Sequence, residues 1–417
     1  MNTRTAHALL SGQLAVQPPT ASAPLRIAFV TETYPPEVNG VALTMARVVL
    51  GLHGRGHSVQ LVRPRQAPSD VADTRTGFHE VLMRGLPIPG YPELRMGLPA
   101  KRRLLELWTA QPPDVVHIAT EGPLGWSALQ AARQLKLPVS SDFRTNFQAY
   151  SQHYKLGWFA RPIMVYLRKF HNQADCTMVP TQALMKELQF NGFKGVSVVS
   201  RGVDTVRFAP QKRSALLRQG WGVQERDLVV MCVGRLAAEK NLALLVKAFQ
   251  AIEAAQPRAK LVLVGDGPLR AQLQALCPSA VFAGQRSADD LAAHYASADL
   301  FLFASMTETF GNVTTEAMAS GLPVAAYDHA AAKQLIRSGV NGLLAPFGDA
   351  EAFVRHAVDL ACQETLRKTL GVKARLTAEA LDWDAVALRF EEVLAGVLRR
   401  CPQDDERSEV LWGHTQA

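Results

Sequence analysis

Cysteine is scarce in this sequence. Its five cysteines among 417 residues (Cys176, Cys232, Cys277, Cys362 and Cys401) are scattered, with no C-x-x-C pair and no zinc spacing. That excludes a disulfide-stapled scaffold, and the thiols read as reduced and packed, as in a cytosolic protein. No uninterrupted apolar run approaches the roughly 20 residues that a membrane-spanning helix needs. Residues 1–24 have no apolar stretch long enough for a signal-peptide core and are rich in Ala, Thr, Ser and Pro, so they read as a disordered tail. Several enzyme signatures are missing too. Without G-x-x-x-x-G-K-[ST] the chain is no P-loop NTPase, and no strand leads into G-x-G-x-x-G as a dinucleotide oxidoreductase requires. Neither H-E-x-x-H nor G-x-S-x-G occurs.

What is present describes a globular α/β protein. With 48% hydrophobic and 20% charged residues the chain has ample core, and its length suits two domains. Apolar runs at 25–30, 58–62, 115–118, 137–141 and 176–179 read as buried strands, separated by amphipathic stretches such as 43–53 and 124–135. The alternation predicts βαβ units around a parallel sheet. Past 200–210 it starts again, with strands expected at 228–233, 260–264, 280–282, 300–303 and 323–326 and helices at 242–255, 269–276 and 289–297. The expected organisation is a domain over 25–205, a second over 206–382, a helix over 383–400 and a tail over 401–417. Two doubly wound units imply a cleft at the carboxyl ends of their strands.

Charge is unevenly shared. Residues 1–205 hold 22 Lys/Arg against 13 Asp/Glu, whereas residues 206–417 hold 23 against 24, so the net charge of +8 comes from the first half. A basic surface there suits an anionic partner or has no partner at all. Nucleic acid is disfavoured, because no basic–aromatic module accompanies the charge. Around 154–171, Lys155, Trp158, Phe159, Arg161, Arg168 and Lys169 mix rings with cations. Such a mixture suits a lipid interface, and equally a core-facing helix with a solvated basic edge.

Three constellations in the second half carry chemistry. Gly234-Arg235-Leu236-Ala237-Ala238-Glu239-Lys240-Asn241 follows a strand and puts two cations on one loop, as a leaving diphosphate needs. Gly265-Asp266-Gly267-Pro268 is a tight turn where a nucleotide can approach bare backbone. In Glu308-Thr309-Phe310-Gly311-Asn312-Val313-Thr314-Thr315-Glu316 two carboxylates lie eight positions apart across a loop-to-helix junction. Gly311 and the amides after it are placed to meet a phosphate at a helix N-terminus, and each carboxylate suits paired hydroxyls. The apolar run 317–324 reads as the continuation of a buried helix. Asp382-Trp383-Asp384 matches a metal-binding D-x-D, but at the start of a helix it reads as a cap.

With these motifs in this order, the chain from residue 25 to about 398 resembles the retaining GT-B glycosyltransferases of family 4. Tyr34-Pro35-Pro36-Glu37-Val38-Asn39-Gly40-Val41 and Ser200-Arg201-Gly202-Val203-Asp204 look like the branch that holds GDP-mannose-dependent α-mannosyltransferases and sulfoquinovosyl-lipid synthases. The resemblance implies two Rossmann-like domains facing across a cleft, the first binding acceptor and the second the nucleotide sugar. It implies that Arg235 and Lys240 grip the donor diphosphate, Glu308 the transferred sugar and Glu316 the ribose. Gly40 and the amides near Asn312 and Val313 would approach the diphosphate, with Gly234, Gly265, Asp266, Gly267 and Gly311 shaping the nucleotide site. His117 would contact the sugar. Where relatives carry S-x-H-T-N-F this chain has Asp142-Phe143-Arg144-Thr145-Asn146-Phe147, so Asp142, Arg144 and Asn146 are expected on the acceptor side, with a permanent cation there. The expected reaction moves a hexose from GDP-mannose to a lipid or glycan with retention and without metal or cofactor. A UDP-sugar-dependent glycolipid synthase and a non-catalytic nucleotide-sugar-binding protein are the alternatives. The expected location is cytoplasmic, with peripheral contact at the inner face of the membrane and an anionic lipid as acceptor.

Overall fold

The computed structural model describes residues 23–37, 40–88, 91–144, 157–308 and 310–400. Asn146 and both tails lie outside them, as do Val38, Asn39 and Thr309.

The first sheet contains β1 (Arg26–Val30), β2 (Ser58–Pro64), β3 (Thr74–Arg75), β4 (Phe78–Met83), β7 (Val115–Ile118), β8 (Val139–Asp142), β9 (Cys176–Val179) and β10 (Val196–Val198). Their order across the sheet is β10-β9-β8-β7-β1-β2-β4-β3, and every pairing is parallel except β3 with β4. A separate hairpin pairs β5 (Gly85–Ile88) with β6 (Tyr91–Gly97). The second sheet runs β13 (Val281–Gly284), β12 (Lys260–Val264), β11 (Val229–Val233), β14 (Leu300–Phe303), β15 (Val324–Tyr327) and β16 (Leu343–Ala345), all parallel. Parallel neighbours need crossovers, and helices on both faces supply them. That is why Val-Val-Met-Cys-Val in β11 and Leu-Phe-Leu-Phe in β14 are buried along their whole length.

The strand order reverses between β1 and β7 in the first sheet and between β11 and β14 in the second. Such reversals leave a crevice beyond the carboxyl ends of the strands.

Two chain crossings join the domains side by side. Val203 donates its N–H to the Leu381 carbonyl at 2.9 Å, and a side chain on Gly202 would meet the Trp383 ring at 2.8 Å. The helix Trp383–Arg400 then buries Val386, Phe390, Val393, Leu394 and Val397 against Phe29, Met45 and Val49 of the first domain. Each such side chain removed from water contributes roughly 1.5–3 kcal/mol, enough to hold the helix on that domain. Asp382 accepts the Ala385 N–H at 2.8 Å, which satisfies one of the orphan donors of that helix.

Some elements escaped the sequence. In β4 the polar His79 and Glu80 break the apolar pattern, yet Glu80 is buried because Arg63 reaches it at 3.0 Å while also holding Asp70 at 2.7 Å. The run 317–324 is no continuous helix. The helix Asn312–Ala319 stops, Gly321 turns at φ +77°, and β15 begins at Val324 beyond Pro323. Proline cannot continue a helix and glycine alone takes the turn cheaply, so the apolar run divides between helix and strand.

Candidate functional site

The candidate site lies beyond β11 and β14. After β11 the chain passes Gly234, makes a short 3₁₀ turn at Ala238–Lys240, and leaves it through Asn241 in the left-handed region at φ +52°. Asparagine tolerates that conformation better than most residues. The turn projects Lys240 toward the end of β14, where its ammonium pairs with Glu308 and sits 5.7 Å from the Phe303 ring centre. Ser305 donates to the same Glu308 oxygen at 2.9 Å, fixing the carboxylate. Arg235 lies on the rim, about half exposed, with its Nε 3.0 Å from Glu239 Oε1.

Beside this pair starts the helix Asn312–Ala319. Gly311 caps it at φ +93°, a conformation that suits glycine, and the first turn opens its amides toward the crevice. One turn in stands Glu316. Tyr295 donates its hydroxyl to Glu316 Oε2 at 3.0 Å and orients it. Burial raises the Glu316 pKa to about 7, only partly offset by that hydrogen bond. His329 lies on the far side of Glu308, lining a small cavity with Phe303, Ser305, Phe310 and Tyr327.

The first domain closes the cleft from above. Gly40 opens the helix Gly40–Gly54, and a Cβ there would lie 3.5 Å from Asn312 Nδ2 in the other domain. At the ends of β7 and β8, Arg144 grips Asp142 through Nε at 3.0 Å. Burial opposes ionisation of Asp142, but the Arg144 guanidinium and His117 outweigh it and hold the carboxyl well below the usual carboxylate range.

One expectation needs correction. His117 does not face the cleft. It is fully buried between the Phe29 and Phe390 rings, each with its centre 4.7 Å away, and its nitrogens lie 2.9 Å from Ser140 Oγ and 3.3 Å from Asp142 Oδ2. The strand's last residues point alternately to opposite faces, and position 117 points into the core packed by the C-terminal helix. His117 therefore supports Asp142 and has no open path to a sugar. The bare backbone of Gly265 and Gly267 also packs against a neighbouring loop. A Cβ on Gly265 would fall 2.0 Å from the Gly234 carbonyl oxygen, and one on Gly267 would fall 2.5 Å from that of Leu236. Leu236 donates to the Asp266 carbonyl and accepts from Leu269, both at 2.9 Å, so this turn braces the Arg235 loop. Asp266 itself is turned to Arg270 at 2.9 Å.

Arg235, Lys240, Glu308, Glu316, Gly311, Asn312, Val313 and Gly40 thus border one crevice. Tyr295, Ser305 and His329 joined the site only through the fold. Tyr295 stands between His294 and Ala296 in an ordinary amphipathic helix, which gave no signal. A cavity of about 750 Å³ at the amino ends of β11, β14 and β15 touches none of these residues. Among the described residues no group of three His, Cys, Asp or Glu is arranged to hold a metal, and no helix is long and apolar enough to cross a membrane.

Comparison with known proteins gives the class. Residues 38–207 match the family described as Glycosyltransferase Family 4, and residues 227–363 that described as Glycosyl transferases group 1. A GDP-mannose-dependent alpha-mannosyltransferase of Mycobacterium tuberculosis is 36% identical over 366 residues, 87% of this chain and 94% of its own length. The sulfoquinovosyl transferase of Arabidopsis thaliana is 30% identical across 92% of this chain and 76% of its own. In fold, the sucrose-phosphate synthase of Thermosynechococcus elongatus superposes with a TM-score of 0.71 at 20% identity, over 89% of this chain and 99% of its own. The chain belongs to glycosyltransferase family 4 and is a glycosyltransferase of GT-B fold.

Proposed function

We propose that the protein transfers mannose from GDP-mannose, with retention of the anomeric configuration and without a metal, to a hydroxyl of a lipid or glycan. The observation that carries this is the Lys240–Glu308 pair at the strand reversal of the second sheet, beside a helix N-terminus and opposite Gly40. The name of the Mycobacterium tuberculosis relative supports the donor.

In the resting cleft Lys240 and Glu308 neutralise each other. A donor sugar entering between them takes Glu308 through its hydroxyls and leaves Lys240 to the diphosphate. Arg235 swings from Glu239 to the same anion, and the amides at Asn312 and Val313 complete its cradle. Two cations and a helix end then stabilise the charge that grows as the bond from C1 to the phosphate oxygen breaks. The acceptor hydroxyl attacks C1 from the face the diphosphate is leaving, and its proton passes to the departing phosphate oxygen. No side chain needs to act as base. Glu316 holds the ribose hydroxyls.

Two outcomes test this. Activity should persist in EDTA at its full rate, and loss of more than about 90% on chelation would overturn the metal-free mechanism. In a thermal-shift panel of GDP, UDP, ADP and their sugars, a ligand at about 100 times its Kd adds roughly 2.7 kcal/mol. Stabilisation by GDP-mannose is expected. The 30% identity to a sulfoquinovosyl transferase makes a UDP-sugar the second reading, and stabilisation by UDP compounds alone would establish it.

Glu316 adds a pH dependence. With its pKa raised from 4.5 to about 7 in the fold, the carboxyl keeps its proton between those values, and that contribution to stability is lost as pH rises through 7. Ribose hydroxyls donate to the ionised form. Affinity for the nucleotide sugar, whose diphosphate has no proton to lose near neutral pH, should therefore climb by at most tenfold per unit as pH rises toward about 7 and level off above it, and calorimetry on Glu316→Gln should show a flat profile. The peripheral membrane contact is supported by the helix Gly157–His171, which buries Leu167 and Phe170 but exposes Val165 and Tyr166 beside Arg168 and Lys169.

A further inference from the structure

The chain crossing between the domains carries a cation that the mechanism above does not use. Arg201 is 7% exposed. Its Nη1 donates to Asn312 Oδ1 at 3.2 Å, its guanidinium carbon lies 5.6 Å from the Phe310 ring centre, and its Nε is buried with no partner among the described residues. The carboxylates whose charge it feels, Asp142 and Glu308, are bound elsewhere, the first by Arg144 and the second by Lys240 and Ser305. A guanidinium with five donors, taken out of water and given no carboxylate of its own among the described residues, costs stability until an anion arrives. Burial and the nearby Arg144 lower its pKa to about 9, which leaves it charged at neutral pH.

We propose that Arg201 is a third cation of the donor site, giving its Nε–H to an oxygen of the terminal phosphate of the nucleoside diphosphate, the group to which the sugar is attached. The inference rests on the nucleotide-sugar reading above and deepens it. A phosphate oxygen could come from the donor or from an anionic acceptor. The contacts favour the donor, because Arg201 touches Phe310 and Asn312, which flank the helix cap at Gly311, and both belong to the second domain. Its location also matters. Arg201 sits on the crossing, one residue from the Gly202 that packs on Trp383 and two from the Val203–Leu381 hydrogen bond. It is therefore mounted at the pivot, and it can meet the leaving phosphate on the side opposite Lys240 when the cleft is closed.

The test compares nucleotides that differ by the phosphate in question. Calorimetric titrations of GDP and GMP, and of UDP and UMP, are run on the wild type, Arg201→Gln and Arg201→Lys. A hydrogen bond to a charged group corresponds to about 10- to 100-fold in affinity. Arg201→Gln should weaken the diphosphate of the preferred base by that factor and leave its monophosphate within about twofold, with Arg201→Lys in between. Should the glutamine variant fail to fold, the lysine variant alone carries the comparison, because it keeps the charge and loses the Nε donor. Equal weakening of mono- and diphosphate would mean a structural role and overturn the proposal. Unchanged diphosphate affinity with a raised KM for the acceptor would assign Arg201 to an acceptor anion and overturn it likewise. If the wild type binds no nucleoside diphosphate, the nucleotide-sugar reading itself falls, a result distinguishable from failure at Arg201 alone.

Discussion

Lys240→Ala should lower kcat by about 10²-fold or more while the protein stays folded. Among the described residues the ammonium is the one cation paired with Glu308, and its removal acts twice. The departing diphosphate loses a charge donor at the moment its own charge grows. Glu308 also loses its ion-pair partner and keeps the Ser305 hydroxyl, so the carboxylate is less firmly placed for the sugar hydroxyls. The effect should appear in kcat more than in KM, because the lost interaction strengthens as the bond to phosphate breaks. Steady-state kinetics with the preferred donor checks this, and near-wild-type turnover would remove Lys240 from the chemistry. Lys240→Arg keeps the charge but not the compact ammonium, and should recover only part of the rate.

Gly265→Ala should damage the protein by a different route. The added methyl would lie 2.0 Å from the Gly234 carbonyl oxygen, and the backbone there sits at φ +128°, where side chains are strained whatever the space. Neither partner is a flexible side-chain end, so two loops must move apart. The expected loss is about 3 kcal/mol or more, compounding steric overlap with backbone strain. For a domain of this size, that corresponds to a fall in Tm of several degrees. Because Gly234 leads into Arg235 and Lys240, the surviving fraction should also bind nucleoside diphosphate poorly. Thermal unfolding with and without ligand checks both, and a Tm unchanged within a degree would contradict the packing role assigned to this glycine.

The contrast between Gly265 and His117 shows how far the residues could be read in order along the chain. Both were visible as candidates. For Gly265 the motif was right, yet the need for glycine comes from a carbonyl thirty-one positions earlier, which only the pairing of β11 with β12 brings near. For His117 the strand end was right, but its face was decided by a helix near the end of the chain. Phe390 covers the ring, and that contact spans most of the sequence.

Arg201 shows the same gap from the other side. In sequence it is part of the run Ser200–Asp204, which marks the family branch and points to no chemistry of its own. Its burial, its contact with Asn312 and an Nε without a partner among the described residues arise only because two domains meet around it.

By itself, then, the sequence determined the two α/β units, the family and the spacing of Glu308 and Glu316. Those are local matters. Hydrophobic period sets strands and helices, glycine and proline set turns, and a motif after a strand falls at a sheet edge wherever the rest of the chain goes. Tertiary structure alone decided which polar groups are buried, which are paired and which face the cleft. Burial and pairing depend on neighbours from other elements, 21 residues away for Glu316 and Tyr295, 68 for Lys240 and Glu308, and most of the chain for His117 and Phe390, so the pKa of Glu316, the Lys240–Glu308 pair and the exclusion of His117 from the cleft follow from packing.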